Sequence, residues 1–544
     1  MPGRLAGLSL WARRRVGRRF RAFDARRALP KPRAGGYTNR VFRLDQAHVS
    51  QLSDLLFETR IAAESFAEFL SGGRLRLGVT GLSRSGKTVF ITALVQQLTR
   101  ALAAGAGRRT ALPLFRVVAE DRLENAHLDP QPDYGVPRFA YEEHLSALTG
   151  LDRRWPHSTR RISELRVSLE YKRKSTSMFS RTGTARLDID IVDYPGEWLL
   201  DLPLLDKSYA RWSVETLEAS SAAARAPIAA EWRGANALID PLARFKEPTA
   251  QRLASLFTQY LRHAKTDRFA LSTLPPGRFL MPGDLEGSPM LSFAPLAVEE
   301  GAEFPARSLA LEMERRYEAY KAQIVKPFFR DHFARLDRQI VLVDALAALN
   351  SGPAAVRDME TALTEVLTAF RTGRSNLLGS IFRPKIDKIL FAATKADHLH
   401  HTSHDRLEGI LRLLTSRAIA RAEGVGAKID VIALAAVRAT REAVVKHDGE
   451  TLQAIVGTPI AGERIGLDAF DGMAEGAIFP GELPADPRRA FRGDALAVPE
   501  EDADFRFLKF RPPVAQLARD SEPLPLPHIR LDRAMEFLLG DHLV

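Results

Sequence analysis

A glycine- and serine-rich loop has the residue types and spacing that bind phosphate groups. Residues 81–88 match the phosphate-loop pattern G-x-x-x-x-G-K-[ST] in full. Its two glycines let successive backbone N–H groups turn toward phosphate oxygens, and a following helix adds the positive end of its dipole. In this pattern Lys87 reaches the outer phosphates and the Thr88 hydroxyl binds Mg²⁺. The residues expected to contact the nucleotide are Gly81, Ser83, Arg84, Ser85, Gly86, Lys87, Thr88 and Val89.

The sequence on either side of this loop has the patterns of a strand and a helix. Leu75, Leu77 and Val79 alternate with other residues before the loop, as they do in a short strand. Apolar residues from Phe90 to Leu98 recur at helical spacing after it. A chance loop rich in Gly and Ser is the alternative interpretation. The strand, loop and helix together favour a nucleotide site.

A second candidate lies where a predicted strand ends. Residues 165–171 and 187–191 alternate with period two, which predicts an antiparallel hairpin joined by the polar segment 172–184. The second strand leads into a D-x-x-G pattern from Asp193 to Gly196. This pattern usually marks only a turn, but here it follows a phosphate loop in the order found in Ras-like GTPases. In them the Asp holds Mg²⁺ through a water, and the Gly N–H contacts the γ-phosphate.

A third pattern predicts which base is bound. Residues 388–393 form an apolar run that ends in Thr394-Lys-Ala-Asp, a match to [NT]-K-x-D. Asp397 can accept hydrogen bonds from N1–H and the 2-amino group of guanine, while the stem of Lys395 lies over the ring. Adenine lacks these donors and would leave a buried carboxylate unpaired. The alternative, a strand that ends by chance in a polar turn, is weakened by the two preceding motifs.

Other site residues are predicted from position alone. The threonine that completes Mg²⁺ coordination in Ras-like proteins lies just before the first hairpin strand, which indicates Thr159. Thr182 and Thr184 are weaker candidates because they lie within or beyond the hairpin loop. Ala435 and Ala436 follow the next predicted strand, where small residues let a backbone N–H approach guanine O6. The candidate metal ligands are therefore Thr88, Thr159 and Asp193.

Glu197 stands where many GTPases carry the Gln that orients the attacking water. A carboxylate there can orient water, but it repels the γ-phosphate. We therefore expect slow intrinsic hydrolysis, about 10⁻⁴–10⁻² s⁻¹, the range of GTPases without a supplied Arg. A partner, an Arg of the helical insertion, or Arg84 would accelerate GTP hydrolysis. For Arg84 the simpler expectation is a side chain that lies in solvent. The candidate catalytic residues are Lys87, Thr159, Gly196 and Glu197.

Four histidines crowd the segment that follows Asp397. His400 and His404 are four residues apart and can share a metal ion. No third ligand is evident from the sequence. We therefore expect a polar helix start rather than a metal site.

The net charge of +11 lies in an N-terminal arm. Residues 1–40 carry twelve Lys and Arg against Asp24 alone, and the other 504 residues hold 66 basic and 66 acidic side chains. The body of the chain is therefore not a basic nucleic-acid binder, and we expect no specific nucleic-acid binding. The chain has no Cys, which excludes disulfides and fits a reducing cytosol. No apolar run is long enough for a transmembrane segment.

The arm has two interpretations. Its apolar residues fall three or four apart among many Arg, which is typical of a basic amphipathic helix on an anionic membrane surface. The interpretation we favour is a disordered tail, or a start codon assigned too early. Residues 52–70 predict an amphipathic helix packed beside the nucleotide domain. We expect a cytoplasmic protein, with peripheral attachment at the inner membrane as the alternative.

The predicted fold class is α/β, a P-loop NTPase with a Ras-like core, a mostly parallel sheet and one antiparallel edge hairpin. Five segments are predicted: a basic arm (1–44), the first part of the nucleotide-binding domain (45–197), a mostly helical insertion (198–336), the second part of the nucleotide-binding domain (337–443) and a C-terminal accessory lobe (444–544). Within them we predict helices at Tyr209–Arg225, Thr249–His263, Ser308–Leu336, 354–371 and Leu531–Leu539, strands at 340–343 and 429–434, β-like pieces at Leu452–Val456 and Phe505–Phe510, and irregular structure over most of 101–157.

Three longer blocks resemble the YcjX family of bacterial GTP-binding P-loop proteins. They are GLSRSGKTVFIT (residues 81–92), DIVDYPGEWLLDLP (190–203) and FAATKADHL (391–399). The resemblance covers residues 45–544, and the basic arm departs from it. It implies a Ras-like core with a helical insertion, GTP or GDP and Mg²⁺ as ligands, an association with bacterial stress and an unidentified protein partner, with a membrane protein as the candidate.

Three functions are compatible with these patterns. The first is a GTPase switch in which the γ-phosphate orders the segments near Thr159 and Gly196. The second is an ATP-using P-loop enzyme such as a kinase, for which no acceptor-binding motif is evident. The third is a scaffold that binds a guanine nucleotide without turnover.

Overall fold

The computed structural model describes residues 73–544 apart from 83, 101–111, 175–182, 267, 334, 370–385, 425, 448, 466–467, 494–505 and 518–522. The basic arm, the helix predicted at 52–70, Ser83 and Thr182 therefore lie outside the described residues. All described residues belong to one unit, residues 60–544.

A seven-stranded sheet forms the centre of this unit. Its strands are β1 (Gly73–Gly81), β2 (Leu123–Asp129), β3 (Ser163–Lys172), β4 (Thr184–Asp193), β5 (Arg338–Val343), β6 (Lys388–Ala393) and β7 (Lys428–Ala433). The order is β2-β3-β4-β1-β5-β6-β7. Strands β4, β1, β5, β6 and β7 run parallel, and β3 and β2 continue the sheet antiparallel. This is the Ras-like P-loop α/β fold, as the sequence predicted.

Helices surround the sheet. They are α1 (Lys87–Arg100), α2 (Arg116–Ala119), α3 (Tyr141–Thr149), α4 (Tyr209–Ser221), α5 (Ala226–Ala237), α6 (Glu247–Ala264), α7 (Gly277–Leu280), α8 (Leu309–Tyr320), α9 (Lys326–Phe328), α10 (Ala345–Asn350), α11 (Pro353–Ala369), α12 (His404–Leu414), α13 (Ser416–Glu423) and α14 (Leu531–Leu539). Within the described part of the chain, none of them combines the length and apolar character needed to cross a bilayer.

The parallel strands separate two hydrophobic clusters. Successive residues of β5 alternate between them: Ile340 and Leu342 belong to one cluster, Val341 and Val343 to the other. Both faces of β5 are therefore covered, which explains why its sequence is continuously apolar. Helices α1 and α14 contribute to the cluster of Ile340 and Leu342. Helices α4 to α8 contribute to the cluster of Val341 and Val343.

The predicted insertion is helical and rich in buried aromatic residues. Trp212 of α4 stacks on Tyr317 of α8 with ring centroids 5.1 Å apart. The predicted helix Thr249–His263 lies within α6, whereas the one predicted over Tyr209–Arg225 ends at Ser221.

The long helix predicted at Ser308–Leu336 begins at Leu309 with Ser308 as its N-cap. It continues to Phe333 through two π-helical segments, Lys321–Val325 and Phe329–Phe333.

The irregular structure predicted for 101–157 is wrong for residues 123–129, which form the edge strand β2. The pairing of β2 with β3 shifts register between Leu123 and Asn125, which indicates a bulge. A bulge adds one residue and breaks the period-two alternation. Leu123 and Ala126 are both buried although three positions separate them, so the strand has no regular pattern to detect.

Beyond β7 the chain forms a small antiparallel sheet with the order β12-β9-β8. Its strands are β8 (Arg441–His447), β9 (Glu450–Gly457) and β12 (Gly476–Ile478), and a separate short ladder joins β10 (Arg464–Ile465) to β11 (Asp468–Ala469). The prediction at Leu452–Val456 is confirmed within β9. The β-like piece predicted at Phe505–Phe510 is wrong for its described residues, since only Phe510 makes an isolated bridge, to Pro459. A single bridge of this kind does not make a strand.

Candidate functional site

The loop between β1 and α1 has a backbone shape suited to an anion. Arg84 and Gly86 have φ angles of 64° and 86°, so the chain turns sharply before α1 begins at Lys87. A Cβ on Gly81 would lie 2.6 Å from the carbonyl oxygen of Leu342, so only glycine fits there. The first N–H groups of α1 have no partners within the helix and are available to bind an anion.

Two buried polar groups of this loop can donate to an anion. The Lys87 ammonium donates to the carbonyl oxygens of Gly81 at 3.0 Å and Leu82 at 3.3 Å. Burial lowers the pKa of Lys87, although the carboxylates of Glu197 and Asp193 oppose this effect. The buried Ser85 hydroxyl has no hydrogen-bond partner among the described residues. A phosphate oxygen would serve both groups.

The structure brings Thr88, Thr159 and Asp193 together beside this loop. The Thr88 and Thr159 hydroxyl oxygens are 3.2 Å apart, and the Thr159 hydroxyl donates to Asp193 Oδ2 at 2.6 Å. The other oxygen, Asp193 Oδ1, is buried without a partner among the described residues. Thr184, by contrast, is the first residue of β4, whereas Asp193 is the last, so the whole strand separates them.

These three side chains fit a magnesium ion. Two hydroxyls and a carboxylate are the hard oxygen donors that Mg²⁺ prefers. Burial raises the pKa of Asp193 to about 6, although the Thr159 hydrogen bond and Lys87 oppose this effect. A buried, unpaired carboxylate oxygen is costly without a cation, and a cation placed here would remove that cost.

We expect Asp193→Asn to raise the thermal midpoint of the protein at pH 7.5 in the absence of nucleotide and metal. Because burial raises the pKa from 3.8 to about 6, the folded protein binds more protons than the unfolded chain between these values. The contribution of Asp193 to stability is therefore fully present below about pH 4 and is lost as the pH rises through 6. The difference is about 3 kcal/mol.

Thermal unfolding at pH 4 and pH 7.5 measures this difference. At pH 4 the variant and the wild type are expected to unfold at the same temperature. A variant that is less stable than the wild type at pH 7.5 would contradict the expectation.

Gly196 and Glu197 lie directly against the phosphate loop. A Cβ on Gly196 would lie 2.3 Å from the Gly81 carbonyl oxygen and 2.7 Å from Lys87 Nζ. Glu197 is buried and forms an ion pair with Lys265, the residue that follows α6. Burial raises the pKa of Glu197, but Lys265 and Lys87 outweigh this effect and hold it below the ordinary value. The carboxylate predicted to repel a γ-phosphate is thus neutralised by a cation that the sequence did not indicate.

The helical insertion also contacts the 3₁₀ segment Gly196–Asp206 that contains Glu197. The buried Asp201 carboxylate accepts from the Gly277 N–H at 2.7 Å and from the Tyr320 hydroxyl at 2.5 Å. A Cβ on Gly277 would lie 1.7 Å from the Glu197 carbonyl oxygen. The backbones of α7 and of the 3₁₀ segment are therefore in direct contact.

Gly277→Ala is expected to destabilise the protein by about 1–3 kcal/mol, because the added methyl group must push these two backbones apart. Gly234→Ala is the matched control, since a Cβ at this position in α5 meets nothing within 4 Å. It should stabilise the protein by about 0.5–1 kcal/mol. Urea unfolding midpoints measure both changes, and equal midpoints for the two variants would show that the contact is not restrictive.

The predicted base-binding residues follow β6. The Thr394 N–H donates to the Val343 carbonyl at 2.9 Å, which fixes the start of the loop. Lys395 has a φ of 62° and pairs with Asp344 at the end of β5. Asp397 is 4% exposed, and its Oδ2 accepts from the Ala439 N–H at 2.8 Å. The carboxylate is thus held in a fixed position beside the phosphate-loop edge of the sheet.

The structure contradicts the role predicted for Ala435. Its N–H donates to the Ile529 carbonyl at 3.1 Å and is therefore not available to guanine O6. Ile529 lies far along the chain, just before α14, so no local pattern could show this hydrogen bond. The half-buried Ala436 stays a candidate.

Residues 507–511 run along the carboxyl edge of the sheet, a feature that the sequence did not indicate. Asn350 Nδ2 donates to the Phe507 carbonyl at 2.9 Å, and the Phe507 N–H donates back to Asn350 Oδ1 at 3.1 Å. Trp155 Nε1 donates to the Phe510 carbonyl at 2.6 Å, and the Phe510 ring lies 5.4 Å from the ring of His398. This segment connects the loop that contains Thr159 with the one that contains Asp397.

One cavity of about 530 Å³ lies beside the phosphate loop and Lys395. It lies between the phosphate loop, the 3₁₀ segment, the insertion and segment 507–511. Its charged lining consists of Arg84, Lys265, Arg268, Lys395, Arg506 and Lys509 with Glu197, Asp344 and Glu463. Six basic groups against three acidic groups favour an anionic occupant.

Comparisons with known proteins agree with this geometry. The profile of the YcjX-like family, DUF463, matches residues 75–543. The Ras-like GTPase YcjX of Escherichia coli (strain K12) is 41% identical over 476 residues, which are 86% of this chain and 96% of that protein. The Ras-like GTPase YcjX of Shewanella oneidensis is 36% identical over 487 residues, 86% of this chain and 94% of that protein. The resemblance found in the sequence is confirmed, and the chain belongs to the YcjX-like family.

Proposed function

We propose that the protein is a Mg²⁺-dependent guanine-nucleotide-binding switch with slow GTP hydrolysis. The observation that carries this proposal is the approach of Thr88, Thr159 and Asp193 beside a buried lysine at the start of α1. The names of the two relatives, both Ras-like GTPases, support the same activity.

The phosphate loop accounts for binding of the phosphates. Lys87, the Ser85 hydroxyl, which has no partner among the described residues, and the first N–H groups of α1 supply donors on one side of the site. Thr88, Thr159 and Asp193 would hold Mg²⁺, which when bound neutralises the charge of the β- and γ-phosphates. Because Thr159 lies on a loop before β3, nucleotide binding would order that loop.

The base specificity is assigned to Asp397. Its buried carboxylate would accept hydrogen bonds from N1–H and the 2-amino group of guanine. The stem of Lys395, whose ammonium is held by Asp344, would lie over the ring. Adenine would leave the carboxylate without these donors.

We expect slow hydrolysis because Glu197 is held in an ion pair with Lys265. A carboxylate held in an ion pair with Lys265 is a poor group for orienting the attacking water. We expect a single-turnover rate of about 10⁻⁴–10⁻² s⁻¹, as in GTPases without a supplied Arg. Phosphate release from a preformed GTP complex measures it, and a rate above about 1 s⁻¹ would contradict the assignment.

The switch itself would be the 3₁₀ segment Gly196–Asp206 together with the insertion. Gly196 lies at the phosphate loop, and five residues later Asp201 is bonded to the N–H of Gly277 and the hydroxyl of Tyr320. A γ-phosphate that accepts a hydrogen bond from the Gly196 N–H would therefore move a backbone segment that is hydrogen-bonded to α7 and α8. A protein partner would bind to the insertion and thereby distinguish the GTP-bound from the GDP-bound protein.

A scaffold that binds guanine nucleotide without turnover is the second candidate, favoured by the same ion pair of Glu197 and Lys265. Binding of a partner in the GTP and GDP states separates the two, since a scaffold would bind equally in both. An ATP-using enzyme is the third candidate and requires that Asp397 play no part in base choice.

Titration of the full chain with GDP, GTP, ADP and ATP, with and without Mg²⁺, tests the proposal. We expect Mg²⁺-dependent binding of the guanine nucleotides and binding at least about 100-fold weaker for the adenine nucleotides. Lys87→Ala is the control, because it removes the buried ammonium at the phosphates. Equal affinity for both bases, or unchanged affinity in this variant, would overturn the proposal.

A further inference from the structure

A cluster of two imidazoles and a carboxylate lies outside the phosphate and magnesium site. His400 and His401 follow the loop that contains Thr394, Lys395 and Asp397, called here the base loop. Glu442 comes from the adjacent strand β8. One ligand atom from each of the three side chains lies within 4.8 Å of the others. The sequence indicated only the pair His400 and His404, but His404 is buried and its Nε2 contacts the Ala396 carbonyl at 2.9 Å.

We propose that His400, His401 and Glu442 form a site for a divalent transition-metal ion of the Zn²⁺ class. Two imidazoles and one carboxylate are a ligand set found in protein zinc sites, with the fourth position open to water. Imidazole ligands select such ions over Mg²⁺ and Ca²⁺, which prefer oxygen.

The two separations that involve Glu442 lie near those expected around an ion of this size, and the two histidine nitrogens lie within 4.8 Å of each other. Donor atoms about 2.0–2.1 Å from a tetrahedral Zn²⁺ lie roughly 3.3 Å from one another. Glu442 Oε2 is 2.7 Å from His401 Nδ1 and 3.8 Å from His400 Nε2, so one separation must widen and the other must shorten by about half an ångström. Small side-chain rotations provide this change.

Neighbouring groups orient the ligands. His400 Nδ1 is 3.0 Å from the Thr402 hydroxyl and accepts from the Thr402 N–H at 3.5 Å, and these contacts hold the ring with Nε2 toward Glu442. Arg438 approaches the other carboxylate oxygen, Glu442 Oε1, at 3.4 Å and leaves Oε2 to the ion.

The cluster is attached to the base loop. The Ala439 N–H donates to the Asp397 carboxylate, and the Thr440 hydroxyl donates to the Asp397 carbonyl. Glu442 follows these residues by two to three positions. An ion held by His400, His401 and Glu442 would therefore fasten the C-terminal end of this loop to β8 and hold Asp397 in place.

Titration of the full chain, free of any polyhistidine tag, with Co²⁺ as a spectroscopic probe and Zn²⁺ as competitor tests the site. We expect one equivalent of Co²⁺ to give the intense visible absorption of a tetrahedral site, and Zn²⁺ to displace it. His401→Ala and Glu442→Gln should each weaken binding by more than about 100-fold, since each removes a direct ligand. His263→Ala, which alters an exposed histidine of α6, should leave binding unchanged.

The absence of a bound equivalent, or equal loss of binding in all three variants, would overturn the proposal. Glu442→Gln keeps the size of the side chain and a hydrogen-bond acceptor, so it guards against a folding defect. The thermal midpoint of each variant in chelator establishes that the fold is intact.

One consequence for nucleotide binding rests on the proposed function. Zn²⁺ should tighten GDP binding by at least about fivefold in the wild type but not in Glu442→Gln, because the fixed loop favours the bound position of Asp397. An equal effect in both proteins would refute this coupling. Since the metal titration contains no nucleotide, failure of GDP to bind would refute the proposed function and leave the metal site intact.

Discussion

Asp397→Asn is expected to lower the affinity for GDP and GTP by roughly 10²–10³-fold, because an amide cannot accept both guanine hydrogen bonds. The same variant should gain affinity for xanthine nucleotides, whose 2-oxo group can accept a hydrogen bond from the amide. Asp397 is the residue best placed for this role, since its carboxylate is buried and fixed by the Ala439 N–H. Competition of GTP and XTP against a fluorescent GDP analogue measures the exchange of specificity.

Asp405→Asn provides the matched control for this variant. Asp405 lies in the first turn of α12, and its side chain is 91% exposed. The same change of charge there should leave both affinities within about twofold of the wild type. Reduced GTP affinity without any gain for XTP would mean that Asp397 supports the loop but does not contact the base.

The second large effect is expected for Lys265→Met, which removes the cation beside Glu197. The unpaired carboxylate would then repel the γ-phosphate, and GTP would bind more weakly relative to GDP by roughly 10–100-fold. We expect a large effect from losing the Lys265–Glu197 ion pair because Glu197 is almost fully buried. Lys87 is the other nearby cation of Glu197. The ratio of GTP to GDP affinity, measured in the same buffer, reports the change.

A second substitution distinguishes charge repulsion from damage to the fold. In Lys265→Met, the further change Glu197→Gln should restore the affinity ratio, since it removes the repelling charge. Lys246→Met, at the other end of α6, is the control for loss of a lysine from this helix. If Glu197→Gln leaves the ratio of Lys265→Met unrestored, Lys265 acts by another route.

The elements predicted correctly are those whose cause is local in the chain. Residues 81–88 determine their own turn and the start of α1, and the D-x-x-G and T-K-x-D segments follow strands that apolar patterns reveal. Parallel strands place these three turns at one edge of the sheet. Thr159, predicted from chain order alone, lies within hydrogen-bond distance of Asp193 because β3 pairs antiparallel with β4 and Ser163 lies opposite Asp193.

The features that the sequence did not indicate depend on single residues brought together over long distances. Lys265 reaches Glu197 from the end of a helix in the insertion, and no motif marks an isolated lysine. Ile529 takes the Ala435 N–H, and Glu442 completes a cluster with two histidines some forty residues earlier. In β2 the obstacle is different, because a bulge removes the regular alternation on which strand prediction depends.

The path of residues 507–511 along the sheet edge, and the packing of α14 against β6 in the cluster that also contains β1 and α1, affect the order of events during synthesis. The ribosome releases the phosphate loop several hundred residues before it releases these segments. A nascent chain therefore cannot complete the site or its core until residues 507–511 and α14 have been released. Products truncated before α14 would expose the apolar face of the sheet and become substrates for quality-control proteases before they could retain a nucleotide.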